Sequence, residues 1–207
     1  MIKLEQYRDI WLAEKFNEFI GFFPREFHVL DNFASFGFIY NLRIIVKRQN
    51  EVLAFDSNSA DFKKSGGRMT ARSAKVWNKF RFFYKNKFYP TVEHAYQASK
   101  FVKTSPKIAK QILKAFSPHD AKNIAIINKD KQDPKFDEYK IDLMEKLLRL
   151  KLEQNPYVKE KLLQTKNYLI CEDSPEDSFW GIGKNRDGKN TLGQLWMKLR
   201  DELILQK

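Results

Sequence analysis

The sequence predicts an α+β fold, a mostly helical single domain with a small β-hairpin-rich sheet and a helix at its N-terminus. Two β-rich runs, "NLRIIVKRQNEVLAFD" and "VWNKFRFFYKNKFY", are each broken by polar turn residues, as hairpins are. From residue 89 onward apolar side chains recur mostly at helical spacing. No Pro-, Gly- or Ser-rich linker divides the chain, and 207 residues suffice for one sizeable core.

In chain order, Leu4, Tyr7, Ile10, Trp11, Phe16, Phe19 and Ile20 fall near helical spacing, and Gly21 and Pro24 stop that helix. Residues 1–26 therefore read as an N-terminal helical extension and 27–207 as the main domain. "FHVLDNFASFGF" suggests irregular backbone at Asn32 and Gly37. The first hairpin turns at "RQNE". The polar stretch 57–75, with Gly66-Gly67, reads as a mobile loop or insertion, whose Lys63, Lys64 and Arg68 are either solvated or phosphate-facing. The second hairpin turns at Lys85-Asn86-Lys87.

"YPTVEHAYQASKF" then opens a helix with Pro90 in its first turn and Thr91 as cap. "SPKIAKQILKAF" and "SPHDAKNIAIIN" each begin with a capping Ser and a helix-starting Pro. "FDEYKIDLMEKLLRLKLEQN" is the longest helix and "PYVKEKLLQT" a short one. "NYLICE" reads as a strand, "DSPEDSFWGIGKNRDGKN" as a loop, and "TLGQLWMKLRDELI" as a closing amphipathic helix.

Composition narrows the function classes. With 43% hydrophobic and 14% aromatic residues the chain is not disordered. The excess of 38 Lys and Arg over 26 Asp and Glu gives +12, which fits nucleic acid, nucleotides or a phosphate-bearing substrate, or a Lys-rich surface kept for solubility. The single Cys171 rules out an internal disulfide and fits a reducing compartment. No apolar run reaches the ~20 residues that span a bilayer. The first residues lack the apolar stretch of a secretory signal, so a cytoplasmic location without membrane contact is expected. His28, His94 and His119 lie far apart in sequence and suggest no metal site. No P-loop, Rossmann or nucleophile-elbow pattern occurs.

Two stretches carry chemistry. On a helix Glu93, Tyr96, Gln97 and Lys100 share one face, either as a catalytic wall or as a charged surface with Glu93 on the helix dipole. In the late loop, Trp180-Gly181-Ile182-Gly183 sets an indole among permissive glycines. That indole either stacks on a flat ring or plugs the core. Gly193, inside a helix, marks close approach.

These residues together resemble the NADAR (YbiA-like) family. "YPTVEHAYQASKF" follows its Pro-Thr-x-Glu-His-x-x-Gln-x-x-Lys signature, and "YLICEDSPEDSFWGIGKNRDGKNTLGQLWMKLRDEL" its Glu…Asp-x-x-Trp-Gly-x-Gly…Gly-x-Asn-x-Leu-Gly…Met-x-x-Arg pattern. Asp31-Asn32-Phe33 is similar to its Ser-Asn-Phe element, and Phe136 stands near a family tryptophan. Residues 39–80 read as inserted or divergent, and residues 1–26 lie outside the resemblance. The resemblance implies the YbiA-like fold and hydrolysis of an N-glycosidic bond. The substrate would be ADP-ribosylated guanine in nucleic acid, DNA before RNA, with an antitoxin role and a toxin partner as one setting. The alternatives are a nucleotide-like riboside of riboflavin synthesis, or a non-catalytic module that binds ADP-ribose or modified nucleic acid. Glu93 is expected as acid/base and Lys100 as Schiff-base nucleophile or as a clamp on a diphosphate or acid partner. Asp177 and Asn190 would hold ribose hydroxyls or order the loop. The catalytic set is thus Glu93, Lys100 and Asp177. The substrate-binding set is Asn32, Phe33, His94, Gln97, Trp180, Gly181, Gly183 and Asn190, with no metal or cofactor. Arg200 is expected to pair with a carboxylate.

Overall fold

The structure, a computed structural model, describes residues 45–48, 51–54 and 80–206 except 168, 173 and 175. The expected N-terminal helix, Asn32, Phe33, His28 and the loop 57–75 lie outside the described residues. Strands β1 (Ile45–Arg48) and β2 (Glu51–Ala54) pair antiparallel, with Arg48 opposite Glu51. Strands β3 (Phe82–Tyr84) and β4 (Lys87–Tyr89) form a second, separate two-stranded sheet. Among the described residues the helices are α1 (Val92–Ser99), α2 (Pro106–Leu113), α3 (Pro118–Ile127), α4 (Phe136–Gln154), α5 (Pro156–Gln164) and α6 (Thr191–Leu205), with a 3-10 turn at Lys129–Lys131. The mostly helical α+β class is as the sequence predicts. The chain divides into two compact units, one containing the described residues 80–159, the other β1, β2 and 160–206.

In the first unit the β3–β4 hairpin turns on two residues, Lys85 and Asn86, at φ 47° and 61°. Left-handed backbone at both central positions is what matches the strand twist in the tightest hairpins. Lys87 therefore joins β4 instead of the turn, opposite Tyr84. Alternation buries Phe82, Tyr84 and Tyr89 and exposes Phe83 and Phe88. Gln154, at the end of α4, accepts from Phe83 N–H at 2.6 Å and donates to its carbonyl at 3.0 Å. Its amide so occupies the free edge of β3 as a strand would.

Lys151, one turn earlier, is buried. Its amine donates to Phe80 O and lies 5.7 Å from the Phe82 ring centroid. Burial pushes its pKa down to about 7. Its spacing along α4 puts it on the buried face of Met144, Leu147, Leu148 and Leu152, although its charge does not suit an inside residue.

Thr91 is the N-cap of α1, its hydroxyl accepting from His94 N–H, so Pro90 sits before the cap and not in the first turn. Ser117 caps α3 in the same way through Asp120 N–H at 3.0 Å. Helix α1 packs against α2, α3 and α4, and every residue from Val92 to Ala98 is buried.

In the second unit the expected strand at "NYLICE" does not form. Leu169–Glu172 is buried but pairs with no strand among the described residues. A single side chain takes the place of a ladder: Asn190 Oδ1 accepts from Glu172 N–H at 2.9 Å, and its Nδ2 donates to Ile170 O at 2.9 Å. The amide offers one donor and one acceptor, which is what a neighbouring strand would supply. Asn190 itself adopts left-handed backbone, φ 50° and ψ 38°, and opens α6. The loop before it caps that helix with its own carbonyls: Thr191 N–H donates to Phe179 O and Leu192 N–H to Trp180 O, at 3.1 and 3.0 Å.

Gly193 is required here. A Cβ at this position would run into Ile170 O and the Asn190 amide. Gly193→Ala is therefore expected to lower stability by about 1–3 kcal/mol, the ordinary cost of overpacking. Urea denaturation at neutral pH measures it, and an unchanged midpoint would contradict the close approach.

Candidate functional site

Helix α1 brings together four of the residues singled out in sequence. Glu93 is 2% exposed, and its Oε1 accepts from Gln97 Nε2 at 2.8 Å, one turn on. Gln97 is 5% exposed, and its Oε1 is buried and accepts no hydrogen bond among the described residues. A buried amide oxygen left unbonded costs free energy unless something else supplies a donor.

Lys100 follows as the C-cap residue, with helical φ and ψ although α1 ends at Ser99. Its amine lies 5.2 Å from the Tyr96 centroid and 5.5 Å from that of Phe136, rings that meet edge-on 5.2 Å apart. Its pKa is pushed down, chiefly by burial. Lys122 and Lys140 act in the same direction, while Glu93 and Asp137 oppose them. The backbone is fixed at this point by Asp133, whose N–H donates to Lys100 O at 2.8 Å. The Asp133 carboxylate in turn accepts from Lys135 N–H, the Tyr139 hydroxyl and Lys103. Sequence reasoning missed Asp133, Lys122 and Lys140, because their relation to Lys100 is not a helical spacing. Phe136 is 1% exposed and forms the buried floor beneath the amine.

His94, expected among the substrate contacts, sits within the framework. It is fully buried, its Nδ1 lies 2.8 Å from Thr91 Oγ1 and its Nε2 3.2 Å from Ala115 O. A carbonyl only accepts, so Nε2 carries the proton and Nδ1 accepts from the Thr91 hydroxyl. Both ring nitrogens are spent. Burial outweighs the Ala115 bond and holds its pKa down to about 4.

The second unit carries the other cluster. Asp177 Oδ1 accepts from Phe179 and Trp180 N–H, at 3.0 and 2.7 Å, so this carboxylate orders the loop. Asn190 is fully buried with both amide atoms bonded to backbone. It therefore orders the loop, one of the two roles expected of it. Gly181 and Gly183 are also buried. A Cβ on Gly181 would lie 2.6 Å from Glu172 O, and Gly183 sits at φ +67°, so both shape the loop. Trp180 is half-buried, edge-on to Phe179 at 5.1 Å. Arg200 pairs with Asp201 at 3.1 Å and donates to Thr165 Oγ1. Among the described residues no group of His, Cys, Asp and Glu is placed to hold a metal, and no helix is long and apolar enough to cross a membrane.

The family model of the NADAR domain matches residues 46–204, more than half of the chain. This chain belongs to the NADAR domain family. The match begins inside the segment read as inserted or divergent, and it excludes Asn32 and Phe33. Over 124 residues the chain is 36% identical to the N-glycosidase YbiA of Escherichia coli strain K12, covering 58% of this chain and 74% of that protein. An N-glycosidase of Nostoc punctiforme is 32% identical over 145 residues, covering 65% of this chain and 93% of its own. The riboflavin biosynthesis protein PYRR of Zea mays is 37% identical over 125 residues, 56% of this chain but only 20% of that protein. The NMR structure of E. coli YbiA superposes with a TM-score of 0.59 at 28% identity, covering 81% of this chain and 93% of that one. The NADAR match and this structural likeness agree with the fold expected from the motifs.

The neutral, buried His94 gives the fold a dependence on acid. An unfolded chain takes up a proton on this ring near pH 6.5, the folded chain only near 4. Between those values the unfolded state binds more protons, so stability falls as the pH falls, by roughly 3 kcal/mol in all. In urea titrations, His94→Gln is expected to flatten the decline between pH 6.5 and 4. A parallel decline in both proteins would show that the ring does not drive it.

Proposed function

We propose that the protein is an N-glycosidase that hydrolyses the bond between ribose C1 and the exocyclic nitrogen of ADP-ribosylated guanine in nucleic acid, DNA before RNA. The observation that carries this reading is the pairing, on one buried helix, of the Glu93 carboxylate with a lysine amine desolvated above two aromatic rings. A depressed lysine pKa leaves a larger share of neutral, nucleophilic amine at neutral pH. The names of the E. coli and Nostoc relatives support the bond type.

The chemistry proceeds by covalent catalysis. The nitrogen lone pair opens the ribose ring, O4′ taking a proton from Glu93, and C1 becomes an imine to guanine. Lys100 Nζ adds to C1 and gives a proton back to Glu93. That proton goes to the guanine nitrogen, the C1–N bond breaks, and a C1–Nζ Schiff base remains. Water adds to it, the amine leaves, and the freed ribose recloses. Glu93 moves the proton at each stage. Gln97 Nε2 holds that carboxylate in place, and its unbonded Oε1 is an acceptor for a substrate N–H or hydroxyl. Within this reading the protein acts as an antitoxin reversing a toxin partner's modification.

A second reading is a riboside of riboflavin synthesis, favoured by the maize relative's name at comparable identity. The two are separated by substrate: guanine-ADP-ribosylated DNA against a free riboside of riboflavin synthesis, with product release followed by mass spectrometry. Lys100→Ala and Glu93→Gln are each expected to lower release by about a hundredfold or more. Borohydride added during turnover is expected to leave a ribosyl adduct on Lys100. Normal release by Lys100→Ala would rule out the Schiff base, and binding without release by the wild type would make the protein a recognition module.

A further inference from the structure

The turn that opens α4 builds itself from four neighbouring residues. Asp133-Pro134-Lys135-Phe136 puts Asp and Pro at the first two places of a type I turn, where each is favoured. Phe136 N–H donates to Asp133 O at 3.0 Å, and Lys135 lies at φ -88° and ψ 3°, the third-residue geometry of that turn. The Asp133 carboxylate braces it from outside, its Oδ1 accepting from Lys135 N–H at 3.0 Å. Pro134 has no N–H, so the one backbone donor left to this turn is that of Asp133. It points back across the fold and donates to Lys100 O at 2.8 Å.

Asp133 thus reaches the Lys100 amine along two lines. The first is the backbone bond, which holds a carbonyl at the end of α1, where outside donors are needed. The second runs through the floor. Asp133 Oδ2 accepts from the Tyr139 hydroxyl at 2.9 Å, the Tyr139 ring meets Phe136 edge-on at 5.3 Å, and Phe136 meets Tyr96. The amine lies over the last two rings. Burial and the bond to Asp133 push the Tyr139 pKa up to about 12, so this hydroxyl stays a donor across neutral pH. A further tie joins the same two stretches, Thr104 Oγ1 donating to Lys131 O at 2.6 Å. The charges that act on the Lys100 amine come from Glu93 on α1, Lys122 on α3, and Asp137 and Lys140 on α4. The Asp133 carboxylate instead meets Lys103, at 3.3 Å. Its hold on Lys100 is one of position.

A lysine at a helix end ordinarily extends its amine into water, because hydration and side-chain entropy both favour that. We propose that Asp133 is a positioning residue for Lys100: its N–H fixes the lysine's backbone, its carboxylate fixes the aromatic floor, and together they hold the amine on the rings and away from water. Loosening either line lets the amine swing out and regain hydration, which favours its charged form. In serving Lys100 as a nucleophile the inference rests on the proposed function.

The test is competitive acetylation. The full chain is treated with a trace of acetic anhydride at a series of pH values, and labelling of the half-buried Lys100 is measured by peptide mass spectrometry against Lys110, an exposed lysine of α2. Only the neutral amine reacts, so the midpoint of labelling against pH reports its protonation. Asp133→Ala is expected to raise that midpoint by about one pH unit and so to cut Lys100 labelling roughly tenfold at neutral pH. The sign separates position from charge, because loss of a negative charge by itself would lower the midpoint. Asp133→Asn is expected to stay within about twofold of wild type, since its amide oxygen accepts from Lys135 N–H and its Nδ2 donates to the Tyr139 oxygen. Tyr139→Phe keeps the ring but loses the tie to Asp133, and is expected to cut labelling about threefold in the same direction. Thermal melting checks each fold, and Tyr139→Phe reads the coupling should Asp133→Ala fail to fold. An unchanged or lowered midpoint in a folded Asp133→Ala or in Tyr139→Phe would overturn the positioning role. So would an equal rise in Asp133→Asn, or an equal change at Lys110. Labelling needs no substrate, so a failed positioning role and an absent glycosidase activity give different results.

Discussion

A helix with no solvent face has to place its polar side chains inside, and in the unit spanning residues 80–159 that constraint organises everything near the candidate site. From Val92 to Ala98 helix α1 is buried, yet it carries a carboxylate, an imidazole and an amide. Each must find partners or cost free energy comparable to a lost hydrogen bond or more. His94 is resolved by a closed chain from the Thr91 hydroxyl to the Ala115 carbonyl, which ties the N-cap of α1 to the segment after α2. Glu93 and Gln97 bond to each other, but one amide oxygen finds no donor among the described residues. That remainder is tolerable in a ligand site and costly in a plain core. It is the physical reason for treating this helix as a binding wall.

The same burial sets the chemistry of Lys100. Its amine sits over Tyr96 and Phe136, whose rings favour the ammonium form, while the loss of water disfavours it. Desolvation is the largest influence, and the neighbouring lysines 122 and 140 add to it against Glu93 and Asp137. Lys151 shows the same effect without a comparable setting. It is buried and shifted to about 7, but its amine is committed to Phe80 O and serves the hairpin. A shifted lysine is thus not a site by itself. What distinguishes Lys100 is the aromatic floor beneath its amine and the Glu93 carboxylate that acts on its charge.

In the other unit the decisive group is Asn190. Its side-chain amide does the work of a missing strand for Ile170 and Glu172, and its left-handed backbone starts α6. The carbonyls of Phe179 and Trp180 cap that helix, so the Trp-Gly-Ile-Gly loop is tied down at both ends while Trp180 stays half-exposed. This geometry explains why Gly and Asn, and not larger residues, occupy these places. It also explains how a loop rich in glycine presents an indole without wandering.

By itself the sequence determined the helices and hairpins, because capping residues, turn residues and apolar period act over a few neighbouring positions. It also placed Glu93, Gln97 and Lys100 on one face, since that follows from 3.6 residues per turn. Its motifs pointed to the NADAR family that the comparisons show. Only tertiary structure decided which polar residues are spent on the framework. His94 and Asn190 look like ligand contacts in a motif, but their partners, Ala115, Ile170 and Glu172, are about twenty residues away in the chain. The strand expected at residues 167–172 failed for the same reason. Extended, apolar residues can be satisfied by a distant amide as well as by a strand, and periodicity does not distinguish the two. Asp133, Lys122 and Lys140 reach Lys100 from the residues before α4, from α3 and from α4, and no spacing rule connects separate elements. Local order is written in local residues, whereas the role of a buried polar group depends on what the fold brings to it.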